Sequence, residues 1–173
     1  MTAAAATPDP TMEAISKAVV SGREGNIASA RCDLLAIWQQ IGAAGDPFHR
    51  CTLAHYLADL HEDPAEALIW DVRALDAATA LTDERAQQFD VGFDVAGFLP
   101  SLYLNLADNF RRLGSFDTAN THLSTARELS DALSAGPYAD QMTQWITQVA
   151  DLIDKKSVQR LAGQAATHDG GEE

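Results

Sequence analysis

Apolar positions recur along most of this chain at intervals of three and four, the period of an amphipathic helix. The clearest stretch runs from Leu102 to Leu129. Tyr103, Leu106, Ala107, Phe110 and Leu113 fall on one face, then Ala119, Leu123, Ala126 and Leu129 continue the stripe after a break. Gly114 fits the left-handed position that closes a helix, and Ser115 and Asp117 fit the N-cap of the next. The pattern predicts two helices joined by a glycine turn.

The same pattern returns elsewhere. Met12, Ile15, Val19 and Val20 form a stripe that ends near Gly22; Gly25 and Asn26 punctuate; Ala30, Leu34, Ile37, Trp38 and Ile41 form a second. Leu53, Ala54, Leu57 and Leu60 make a third, and Asp63-Pro64 reads as an N-cap with proline in the first helical position. Ala67, Trp70, Ala74 and Leu75 follow. The expected hairpins span 11–44, 48–81 and 100–132, with one last helix over 137–162 carrying Tyr138, Met142, Trp145, Val149, Leu152 and Ile153. Residues 1–10 and 163–173 read as disordered tails.

Counting from Pro100, the residues Tyr103, Leu106, Ala107, Phe110, Gly114, Ala119, Leu123 and Ala126 resemble the tetratricopeptide repeat. Ala107 replaces the usual glycine, Leu123 the usual aromatic and Asp131 the terminal proline. Starting from Thr11, the residues Ala18, Gly25, Ala30, Leu34 and Ile37 follow the same pattern. The resemblance implies an all-α fold, a right-handed superhelical array of about three hairpins, with the last helix capping it. A dimer seam is the alternative use of that helix. Pro47 and Pro100 are 53 positions apart, against 36 from Thr11 to Pro47. About 19 residues therefore exceed a 34-residue repeat. They fall around the insertion 82–97, where Thr82 caps a short helix through Phe89 and 90–97 is loop. The tandem Phe89-Asp90-Val91 and Phe93-Asp94-Val95 lies there, either tucked against the array or docking a partner.

In that family the first helices line a concave surface that takes protein or peptide segments. The resemblance carries this role to Ile15, Val19 and Arg23 in the first unit. It adds Cys51, His55 and Asp59 in the second, and Leu104, Asp108, Arg111 and Arg112 in the third. Arg111 and Arg112 are the only adjacent arginines. Either one receives a partner carboxylate or it forms an internal ion pair with Asp108 or Asp117. Asn105 resembles a structural repeat asparagine. Ile15 and Val19 occupy places where chaperone-binding members carry a polar clamp, which argues against that specificity.

Composition narrows the partners. With 25 acidic and 12 basic residues the formal charge is -13, which disfavours phosphate backbones and anionic lipid. No apolar run is long enough to span a bilayer. MTAAAATPDP holds no Lys or Arg and does not read as a signal peptide. Cys32 and Cys51 imply no disulfide framework, so a cytoplasmic protein is expected. Cys51, His55 and Asp59 share one face at i, i+4 and i+8. This suggests a metal- or small-molecule-responsive site, although about 12 Å of helix separates its ends. No constellation for catalysis is visible, and no cofactor is expected. The leading expectation is a non-catalytic adaptor whose groove or 82–97 loop binds a protein partner.

Overall fold

The computed structural model describes residues 9–88 and 95–161, and among them the chain forms eight helices and no strand. In chain order these are α1 (Pro10–Arg23), α2 (Ile27–Ile41), α3 (Pro47–Asp59), α4 (Pro64–Thr79), α5 (Asp83–Gln87), α6 (Val95–Arg112), α7 (Phe116–Ser130) and α8 (Pro137–Asp154). None is long and apolar enough to cross a membrane.

Local chemistry sets most of the boundaries. Prolines Pro10, Pro47, Pro64 and Pro137 each open a helix, where the missing N–H costs nothing. Asp9, Asp46 and Asp63 cap three of these: their carboxylates accept backbone N–H groups of Met12 at 3.0 Å, Phe48 at 3.0 Å and Ala65 at 2.7 Å. Gly114, at φ +79°, makes the tight exit from α6 into α7. Thr82 caps α5, its hydroxyl accepting from the Arg85 N–H at 3.3 Å.

Helices α1/α2, α3/α4 and α6/α7 pack as neighbouring pairs, and successive pairs meet through α2–α3 and α4–α6. Helix α8 rests on α7 and α6. One apolar cluster, with Ile15, Leu34, Leu53, Leu57, Trp70 and Leu102, joins the first two pairs to the start of α6. A second, with Leu104, Leu123, Met142, Ile146 and Val149, joins the third pair to α8. Trp38 and Trp70 meet edge to face at 5.2 Å, and the Arg73 guanidinium lies 4.3 Å from the centre of the Trp70 ring.

Three boundaries differ from the sequence pattern. Asp9 and Pro10 belong to the folded part, because Asp9 caps α1; residues 1–8 lie outside the described residues, as do 162–173. Helix α6 starts at Val95 rather than Pro100, so 95–97 are helical rather than loop. Asp83 accepts the Val95 N–H at 3.1 Å. Residues 89–94, with most of the tandem FDV pair, lie outside the described residues. The last helix ends at Asp154 instead of running to 162. There Lys156 turns to φ +49°, and the Ser157 carbonyl accepts a 2.6 Å hydrogen bond from Arg111 Nη1. The following residues therefore run back over the array.

Candidate functional site

A groove of about 170 Å³ opens between the first helices of the pairs. Helix α1 contributes Val19 and Arg23, α3 His55, Tyr56 and Asp59, and α4 Asp71. Helix α6 contributes Leu104, Asn105, Asp108, Asn109 and Arg112; α8 adds Trp145, and the segment after it Arg160. The four-residue spacing of Val19 and Arg23, and of His55 and Asp59, places each pair on one helical face.

Polar groups form its floor. Asp71 is 1% exposed and accepts from Asn109 Nδ2 at 2.6 Å and Asn105 Nδ2 at 3.4 Å. Asn105 Nδ2 also lies 3.5 Å from His55 Nδ1. Burial pushes the Asp71 carboxyl well above its usual range, and the charges of Asp59 and Asp108 act in the same direction. The amide donors of Asn105 and Asn109 oppose this without cancelling it.

Asp59 stands higher in the groove. Its side chain remains open to water, yet protein atoms crowd it closely enough to strip much of its hydration. This desolvation pushes its pKa to about 7 against the pull of Arg160 and Arg23. Arg23 lies over the Tyr56 ring at 5.6 Å. Arg112 donates to Asn109 Oδ1 at 3.3 Å and to the Glu62 carbonyl.

The residues expected on the concave surface separate into two groups. Val19, Arg23, His55, Asp59, Leu104, Asp108 and Arg112 line the groove. Ile15 and Cys51 do not: both are buried in the first apolar cluster. Arg111 is 0% exposed, donates to Asp108 Oδ1 through Nε at 3.0 Å and Nη2 at 2.6 Å, and is closed off from any partner. Of the two options for the arginine pair, Arg111 takes the internal one and Arg112 faces the groove.

The shared face of Cys51, His55 and Asp59 does not survive packing. Burial pushes the Cys51 thiol up to about 12, on the core side of α3, while His55 and Asp59 turn to the groove. Among the described residues no three His, Cys, Asp or Glu side chains converge as a metal ion would need.

Sequence reasoning missed Asp71, Asn109, Trp145, Arg160 and His61 as groove residues. Asp71 left a signal: an acid amid the apolar run ALIWDVRAL is a candidate buried carboxylate. Arg160 left none, because its place depends on the chain turning back after α8. No protein-family model, curated protein or solved structure matches the chain.

Proposed function

We propose that this chain is a non-catalytic adaptor of the tetratricopeptide type whose groove holds a segment of a protein partner. The observation that carries the reading is the lining of the groove. Val19 and Trp145, with Leu104 buried behind them, share the groove wall with Arg23, Asp59 and Arg112, and all six come from first helices or α8. Such mixed walls suit a peptide, whose backbone and side chains need both kinds of contact. The volume, about 170 Å³, is below the ~300–1,000 Å³ of a drug-sized ligand site and suits one or two anchoring side chains. Cys32 and Cys51 are both unpaired, which suits a reducing cytoplasm.

A second reading, a regulator that responds to a small polar molecule, draws on the buried His55, Asp71 and Asn109 and the half-buried Asn105 at the groove floor. These groups could orient a few hydrogen-bonding atoms.

The test is selection from a random peptide library on wild type and on a Val19→Glu/Arg23→Glu variant, with circular dichroism to confirm that helicity is unchanged. The adaptor reading expects peptides that bind wild type and lose at least tenfold affinity on the variant. Peptides that bind both equally would overturn it.

A further inference from the structure

The end of the groove formed by the α3–α4 turn gathers three basic side chains whose donor capacity the protein uses only in part. His61 lines the groove there, its side chain 10% exposed. Glu66 Oε2 lies 2.9 Å from His61 Nδ1 and fixes the ring. The other nitrogen, Nε2, is buried and has no hydrogen-bond partner among the described residues. Arg112 reaches the same turn by donating to the Glu62 carbonyl, and its acceptors, that carbonyl and the Asn109 amide oxygen, are both neutral. Arg160 arrives from beyond α8, with Glu62 Oε1 at 3.9 Å.

We propose that His61, Arg112 and Arg160 form an oxyanion-binding site that anchors a carboxylate or phosphoryl group of the bound segment. The inference deepens the adaptor reading and rests on it. Two guanidiniums and an imidazole converge on one turn, in a chain with twice as many acids as bases. The countercharges at this end are Glu62 and Glu66, both mostly exposed, with Asp59, Asp63 and Asp108 nearby, Asp108 being already paired with Arg111. Burial pulls the Arg112 pKa down, and the neighbouring charges of Arg160 and Arg111 add to that effect while Asp108 and Asp63 oppose it. An incoming oxyanion relieves both penalties, since an ionised acceptor makes the strongest hydrogen bonds with guanidinium groups. In its protonated form the His61 ring donates Nδ1–H to Glu66 and Nε2–H to the anion. Glu66 thus acts as a positioning residue for His61.

The full chain, labelled with ¹⁵N in histidine, is titrated with inorganic phosphate and separately with acetate, at constant ionic strength balanced by chloride. The expected result is a saturable shift of the His61 Nε2 resonance. Arg112→Gln and Arg160→Gln each move its midpoint about tenfold higher, the loss of one charge-assisted hydrogen bond. Arg127→Gln, on the exposed face of α7, leaves it unchanged. Saturation by phosphate alone identifies a phosphoryl group as the natural anchor; saturation by acetate as well identifies a carboxylate. A shift that rises linearly, that chloride reproduces, or whose midpoint Arg160→Gln leaves unmoved overturns the site. Arg160 lies beyond the last helix, so its substitution does not put folding in question. Peptides that bind the groove but keep full affinity on an Arg112→Gln/Arg160→Gln variant would overturn the anion site and leave the adaptor reading intact.

Discussion

Arg85 Nη2 donates to Asp9 Oδ2 at 3.0 Å across 76 positions of chain. The same guanidinium donates through Nε to Asp46 Oδ2 at 2.8 Å, and His49 Nε2 lies 2.8 Å from Asp9 Oδ2. One arginine in the insertion thus ties together the carboxylates that cap α1 and α3. The insertion is not a detached spacer at this point: α5 locks the N-terminal ends of the first two helical pairs.

This tie makes Asp9 a source of acid sensitivity. Burial raises its pKa, but hydrogen bonds from His49, the Met12 N–H and Arg85 outweigh that and bring it from 3.8 to about 2. A carboxylate depressed in the folded state stabilises the fold above its unfolded pKa, and that stability disappears as pH falls from about 4 to about 2. The contribution at neutral pH is ~2 kcal/mol. In Arg85→Ala, urea unfolding at pH 7 should show a loss of ~1–2 kcal/mol, and the acid transition should become shallower.

Arg111 and Asp108 form an ion pair inside the fold, at 0% and 5% side-chain exposure. Removing one member strands a buried charge, so Arg111→Ala should destabilise by about 3–5 kcal/mol in denaturant unfolding. The double variant Arg111→Met/Asp108→Leu should recover most of that loss, because no unpaired charge remains. If both variants prove equally unstable, the pair does more than neutralise itself.

Asp59 predicts a pH dependence of opposite sign. Its pKa is raised in the folded state to about 7, so stability is greatest below the unfolded value near 4 and declines as pH rises through 7. Asp59→Asn should remove that decline. The difference in urea midpoint between variant and wild type should grow from about pH 4 to about pH 7 and level off above that. A constant difference would show that water at the groove keeps the carboxyl near its ordinary pKa.

Gly114 holds φ +79° with open space where a Cβ would be. Gly114→Ala should therefore cost about 1 kcal/mol through backbone strain alone. At Gly136, where φ is 162° and space is also open, alanine should cost much less. Because neither alanine meets a neighbour, thermal unfolding of the two variants side by side isolates the cost of the positive φ at Gly114.

Helix positions, turns and most caps were legible in the sequence because they depend on neighbours a few residues away. Apolar stripes of period 3.6, the Asp-Pro start at 63–64 and Gly114 carry that information locally, whereas the same Asp-Pro signal at 9–10 sits in a stretch that reads as a disordered tail. Pro100 misled the reading of α6, since a proline usually opens a helix, whereas this helix already includes Val95, whose N–H is held by Asp83, twelve positions away. The groove could not be read the same way. Cys51, His55 and Asp59 share a helical face in sequence, but that face straddles the line between core and groove, and only the packing of α1 and α6 against α3 decides which side each takes. Arg111 and Arg112 are adjacent and chemically identical. One is buried against Asp108 and Ser157, and the other faces the groove, because consecutive helical residues point about 100° apart and the chain turns back after α8. The sequence by itself determined an acidic, all-helical chain built from paired helices. Tertiary structure alone decided which of its charges are paired inside and which remain available in the groove, since pairing depends on distances between residues far apart in the chain.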